Sequence, residues 1–123
     1  MAKTDLFVKN SLKLEIAEDA ANIRIKLFGR STDREPGNFI TPIITEALKK
    51  TIDSSKSLLI DFRELTYMNS STITPFIKLL DRAQRGNINL TILYNGLKKW
   101  QDLNFSALKI FETGDQRVTI KGT

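Results

Sequence analysis

Sixteen consecutive residues carry most of the information in this chain: Leu58-Leu59-Ile60-Asp61-Phe62-Arg63-Glu64-Leu65-Thr66-Tyr67-Met68-Asn69-Ser70-Ser71-Thr72-Ile73. They begin with a short aliphatic run after a Ser/Lys turn. Such a run predicts a strand buried on both faces, as in the middle of a mixed or parallel sheet. They end in a run of hydroxyls that opens an amphipathic helix over about residues 71–85. Its expected apolar stripe is Ile73, Phe76, Ile77, Leu80 and Ala83, with Lys78, Asp81, Arg82 and Arg85 facing out and Gly86-Asn87 as the stop. A strand feeding a helix in this way is the repeating unit of an α/β fold.

The flanking sequence extends that pattern in both directions. Upstream, Leu12, Leu14 and Ile16 alternate with Lys13 and Glu15, and Ile23, Ile25 and Leu27 alternate with Arg24 and Lys26. With the Glu18-Asp19-Ala20 turn between them, these predict an antiparallel hairpin. After a loop over 30–38, Ile40, Ile43, Ile44, Ala47, Leu48 and Ile52 fall at helical spacing. Pro42 is expected in that helix's first turn. Downstream, Ile88, Leu90 and Ile92 alternate as a strand. A third helix over 97–108 is expected to bury Trp100, Leu103 and Ala107, and Val118-Thr119-Ile120 closes the chain as a short strand. The order β-β-α-β-α-β-α-β predicts an α/β sandwich over residues 1–123, with a mixed, mostly parallel sheet behind a leading hairpin. Expected core residues include Ile25, Ile44, Leu48, Leu59, Ile60, Phe76, Ile77, Leu80 and Ile92.

Composition narrows the chemistry. The 123 residues include no Cys and no His. Disulfides, thiolate nucleophiles and zinc–thiolate sites are therefore excluded, as are imidazole bases and Ser-His-Asp triads. A chain of this length buries roughly two-thirds of its unfolded surface, enough for one core. The net charge of +5 comes from 19 basic and 14 acidic side chains, and the basic ones are scattered, grouped only as Lys49-Lys50 and Lys98-Lys99. No nucleic-acid groove is expected from that distribution. Neither a signal-peptide core nor a membrane-length apolar run is present, so the expectation is a cytoplasmic protein without membrane partners. All six glycines are isolated, so no phosphate loop is formed, and no cofactor or metal is implied. A Ser-Lys mechanism would need Lys56 or Lys78 desolvated beside Ser70 or Ser71. A binding or regulatory role is favoured over catalysis.

The hydroxyl run has two compatible readings. Asn, Ser and Thr cap helices by satisfying free N–H groups. A helix start also accommodates a phosphoryl group, through unpaired donors and a partial positive charge. One hydroxyl can cap while its neighbour is modified.

The segment resembles the STAS domain (sulfate transporter and anti-sigma factor antagonist), where an aliphatic strand ending in Asp leads through a loop to Asp-Ser-Ser-Gly at a helix start. The matching residues are Leu59-Ile60-Asp61-Phe62 and Leu65-Thr66-Tyr67-Met68-Asn69-Ser70-Ser71-Thr72, and the element order is similar from about Leu12 to Ile120. In that family the second serine is the usual phospho-acceptor, which corresponds to Ser71. Asn69 stands in place of the family Asp and Thr72 in place of Gly. Both departures make the segment similar to the SiaC-like regulatory phosphoproteins, in which Asn precedes a Ser/Thr run and the residue after Asn is the acceptor, here Ser70.

The resemblance implies a non-enzymatic partner-switching regulator, with serine phosphorylation ending one interaction and a PP2C-type phosphatase restoring it. The implied partner is a serine kinase or anti-sigma factor of GHKL type, or, by the SiaC-like analogy, a diguanylate cyclase. A STAS-like scaffold without a working switch is the remaining alternative. The partner surface is expected to comprise Asn69, Ser70, Ser71 and Thr72 with Ser31, Thr32 and Asp33. A response-regulator receiver, using Glu18-Asp19, Asp61 and Lys121, is the nearest rival α/β fold. It would require a helix where Ile23–Leu27 alternates as a strand.

Overall fold

The computed structural model describes residues 3–123. The elements run β1 (Lys3–Lys9), β2 (Leu12–Glu18), β3 (Asn22–Ser31), α1 (Gly37–Ser54), β4 (Ser57–Asp61) and β5 (Leu65–Met68). A 3-10 turn, Ser70–Thr72, then leads directly into α2 (Ile73–Arg85). After it come β6 (Leu90–Tyr94), α3 (Lys99–Ser106), a 3-10 segment Ala107–Phe111 and β7 (Val118–Gly122). The seven strands form one mixed sheet in the order β1-β2-β3-β4-β6-β7, with β5 pairing to β3 beyond the end of β4. β1, β2 and β3 are antiparallel neighbours, and every other pairing is parallel. The expected α/β architecture with a mostly parallel sheet is present.

The strand between Ala20 and Phe28, where a receiver would carry a helix, excludes that rival fold. The register supports this. Glu18 is level with Ile23 and through it with Leu58, at the start of β4, whereas Asp61 ends that strand. The acidic groups a receiver would bring together lie at opposite ends of β4.

Burial alternates along the strands. Ile23, Ile25 and Leu27 in β3, Leu58 and Ile60 in β4, Leu90, Ile92 and Tyr94 in β6, and Val118 and Ile120 in β7 are enclosed. Arg24, Leu59, Thr91, Leu93 and Thr119 point the other way and remain at least partly open. The helices therefore cover one face of the sheet. This corrects the expectation that β4 is buried on both faces: Leu59 is half-buried. An aliphatic triplet does not show whether one or two layers cover it.

Two helices present different faces from those expected. In α2 the buried set is Pro75, Phe76, Leu79, Leu80 and Ala83, and Ile77 is exposed. The stripe is rotated towards α1, whose Ile44 and Leu48 line one groove with Pro75 and Leu79. In α3 the buried residues are Gln101 and Phe105, while Leu103 is 77% exposed. Ala107 is exposed and Trp100 only half-buried. The phase of α3 is set by a polar residue. The Gln101 amide donates to the carbonyls of Phe62 (2.7 Å) and Leu65 (2.9 Å) and accepts the Asn95 N–H (2.7 Å). The Phe62 carbonyl also accepts the Leu65 N–H at 3.0 Å, so Gln101 adds a second donor there while joining the β4–β5 loop to the end of β6 at Asn95. Phe105 then packs on Phe62 and Tyr94, with ring centroids 4.5 and 5.7 Å apart.

Helix α1 begins at Gly37, earlier than expected, so Pro42 lies inside it rather than in its first turn. No described helix is long and apolar enough to cross a membrane.

Candidate functional site

The loop between β5 and α2 is held by a chain of buried polar contacts. β5 runs parallel to β3, with Met68 level with Ser31, and the Asn69 N–H donates to the Ser31 carbonyl at 3.0 Å. The Asn69 side-chain oxygen accepts from the Thr72 N–H (3.1 Å) and from the Thr72 hydroxyl (2.8 Å). Since that hydroxyl spends its proton on Asn69, the 2.7 Å contact between Ser31 Oγ and Thr72 Oγ1 has Ser31 as donor. The Asn69 amide nitrogen in turn donates to the Asp33 carbonyl at 2.7 Å. Asn69 is thus the cap of this helix start and also ties it to the β3–α1 loop. Asp33 is anchored on its other side, accepting from Asn10 at 2.9 Å and lying 3.6 Å from the Lys9 ammonium.

The network separates the hydroxyls into two groups. Thr72 and Ser31 are 0% and 1% exposed. Both were expected on a partner surface, yet they are buried, with their hydroxyls consumed in holding the loop. Asn69 and Asp33 are half-buried, and Thr32 is exposed. Ser70 and Ser71 are exposed, and among the described residues no side-chain hydrogen bond engages either hydroxyl. The capping function and the free hydroxyls therefore belong to different residues.

Ser71 opens onto a shallow groove between the starts of α1 and α2. Its lining includes Arg34, Glu35, Asn38, Thr41, Ser71 and Lys78. Two cations thus share the groove with the Ser71 hydroxyl, with the Glu35 carboxylate turned to Asn38 (3.1 Å). Lys78 is two helical turns beyond Ser71 on the same face, a relation readable from the spacing of seven. Arg34 had no such signal, since only the folding of the β3–α1 loop brings it near. Lys56, the other lysine considered for a Ser-Lys pair, sits at the opposite end of β4, 2.6 Å from Glu18.

Asp61 closes β4. It accepts the Arg63 N–H (2.9 Å) and two bonds from the Arg63 guanidinium (2.9 and 2.8 Å). Burial by itself would raise the Asp61 carboxyl, but the Arg63 hydrogen bonds and charge outweigh it and hold the group below the usual carboxylate range. Asp61 is the strand-end residue that fixes the following loop.

No protein-family model matches the chain, and no curated relative does. Among solved structures the chain is similar to SiaC of Pseudomonas aeruginosa, with a TM-score of 0.57 and 19% identity over 76% of this chain and 78% of that one. At that identity the likeness is one of fold, and it agrees with the mixed sheet and helix layer described above.

Proposed function

We propose that this chain is a non-enzymatic regulator that exchanges protein partners when a serine at the start of α2 is phosphorylated, and that Ser71 is the acceptor. The observation that carries the reading is the division of labour in the hydroxyl run. Thr72 and Ser31 are locked in a buried network, whereas Ser71 is exposed, unpaired and placed in a groove with Arg34 and Lys78. A phosphoryl group adds about −1.5 to −2 charges. Arg34 and Lys78 line the same groove, with the Glu35 carboxylate opposing them, and with the helix start they lower the cost of that charge to the free chain. In a partner interface the same charge would be desolvated without a mate, at a cost of several kcal/mol. The fold survives modification and the complex does not.

The likeness in fold to SiaC, together with the Asn-Ser-Ser-Thr run, supports Ser70 as the second candidate acceptor. The partner class that fits the STAS resemblance is a GHKL-type serine kinase or anti-sigma factor, reset by a PP2C-type phosphatase. The SiaC-like one is a diguanylate cyclase. Nucleic acid has no part in this reading.

The experiment is partner capture and phosphosite mapping in the cells that make the chain, using Ser70→Ala, Ser71→Ala, Ser70→Asp and Ser71→Asp. Ser71→Ala is expected to keep the partner and lose the phosphate. Ser71→Asp is expected to release the partner while unfolding at nearly the parent temperature, since a negative charge at a helix start stabilises by about 0.3–1 kcal/mol. If the Ser70 variants behave so instead, Ser70 is the acceptor. If all four capture the same proteins and none changes the phosphate signal, the switch is refuted and the chain is a scaffold.

A further inference from the structure

The two edges of the sheet are finished differently. At β7 the chain folds back over its own edge. Thr113 Oγ1 accepts the Val118 N–H at 3.1 Å, the Thr113 N–H donates to the Val118 carbonyl at 3.2 Å, and Glu112 accepts the Ile120 N–H at 3.0 Å. At β1 no described strand lies beyond the edge. That edge is also apolar on both faces: Leu6, Phe7 and Val8 are 56%, 38% and 59% exposed. Exposed edge strands are usually short or interrupted by charge or proline, because their free N–H and C=O groups are a template for pairing. Seven residues of β1 carry neither device at their centre.

The register identifies which backbone groups are free. Arg30 N–H donates to the Ser11 carbonyl and Asp19 N–H to the Asn22 carbonyl, so odd-numbered residues of β2 face β3. Even-numbered residues of β2 therefore face β1, where Leu12 pairs with Lys9, Leu14 with Phe7 and Ile16 with Asp5. The N–H and C=O groups of Thr4, Leu6 and Val8 are left pointing away from the sheet.

We infer that β1 is a self-pairing edge: two copies of this chain join their sheets antiparallel through β1, about a two-fold axis at Phe7. In that register Asp5 of one copy is opposite Lys9 of the other, twice. Leu6 is opposite Val8, twice, and these are the pairs whose outward N–H and C=O groups exchange hydrogen bonds. Phe7 meets Phe7 at a non-hydrogen-bonded position, where side chains approach most closely. The sequence Asp5-Leu6-Phe7-Val8-Lys9 is thus self-complementary in charge and in apolar character, as a symmetric interface requires. Lys9 lies 3.6 Å from Asp33 within its own chain, and its half-exposed ammonium can serve both carboxylates.

The test is analytical ultracentrifugation of the full chain over a concentration series, with variants at this edge. The parent is expected to show a reversible monomer–dimer equilibrium. Asp5→Lys sets two like-charge pairs in place of two ion pairs, and is expected to raise the dissociation constant about tenfold or more. Adding Lys9→Asp to it restores opposite charges and is expected to return most of the affinity, with circular dichroism checking that each variant is folded. Because the chain has no cysteine, cross-linking reads the register directly. Mild oxidation of Phe7→Cys is expected to give a covalent dimer, since the dyad pair brings Cα atoms to about 4.5 Å, within disulfide reach. Leu6→Cys is not expected to do so. A chain that stays monomeric to about 1 mM, a double variant no better than Asp5→Lys, or equal cross-linking of Phe7→Cys and Leu6→Cys would overturn the inference. Pairing of β1 only with a different protein would do so as well.

Discussion

Replacing Asn69 by Asp restores the residue that the STAS resemblance leads one to expect, and here it should destabilise. The Asn69 amide works at both ends: its oxygen accepts from the Thr72 N–H and hydroxyl, and its nitrogen donates to the Asp33 carbonyl at 2.7 Å. Asn69→Asp keeps the acceptor and adds a negative charge at a helix start, which is favourable by about 0.3–1 kcal/mol. It also turns a carboxylate oxygen towards the Asp33 carbonyl and removes that carbonyl's donor, a loss of about 1–3 kcal/mol in a part-buried setting. The expected net is a loss of about 0.5–2 kcal/mol at pH 7, or several degrees in melting temperature for a chain of this size. The assay is urea unfolding of parent and variant at pH 7. A variant as stable as the parent would refute the assignment of the Asn69–Asp33 contact.

Thr72→Val preserves shape but takes the hydroxyl out of the Ser31–Thr72–Asn69 chain; it should cost about 1–3 kcal/mol by denaturant unfolding, and Thr72→Ser should cost clearly less. Gln101→Leu removes the partner of the Asn95 N–H and a donor to the Phe62 and Leu65 carbonyls, of which Phe62 keeps the Leu65 N–H, and should destabilise by about 1–3 kcal/mol by denaturant unfolding. The Asp61 carboxyl is held below its ordinary range by Arg63. Its contribution to stability is therefore present above the unfolded-state pKa near 3.9 and is lost as pH falls through the lower folded value. Acid melts of Asp61→Asn should accordingly be flatter than those of the parent.

The parts of the fold legible in the sequence are those where one face is wet and one is dry. β2 and β3 alternate apolar and polar residues, and the alternation gave both strands and their antiparallel pairing. β1 has no such alternation, because an edge strand with Leu6-Phe7-Val8 exposed obeys no inside–outside pattern. β5 has only four residues, two of them exposed, and exists because β3 offers its edge beyond the end of β4. The α3 stripe is illegible for a different reason: periodicity weighs Leu103 as core and Gln101 as surface, whereas the fold buries the Gln101 amide against loop carbonyls. At the candidate site the hydroxyl run and its place at a helix start were legible. Which hydroxyls are consumed was not, since that depends on Ser31, which is 41 residues from Thr72 in sequence.

That long-range contact bears on why a run of three hydroxyls is useful. A single serine at a helix start has to choose between capping and being available, because a side chain bonded to a backbone N–H is withheld from an incoming enzyme. Here Asn69 caps, Thr72 spans from Asn69 to Ser31 in the interior, and the two residues between them are exposed by the geometry of the 3-10 turn. The loop's conformation is thus fixed by groups that a phosphate at Ser70 or Ser71 would leave untouched. A phosphate at Ser71 would alter the charge of the surface while leaving its shape in place, with Arg34 and Lys78 limiting the electrostatic cost to the free chain. Nearly all of the phosphate's effect would then fall on the bound state, which is the condition for a modification to control association without controlling folding.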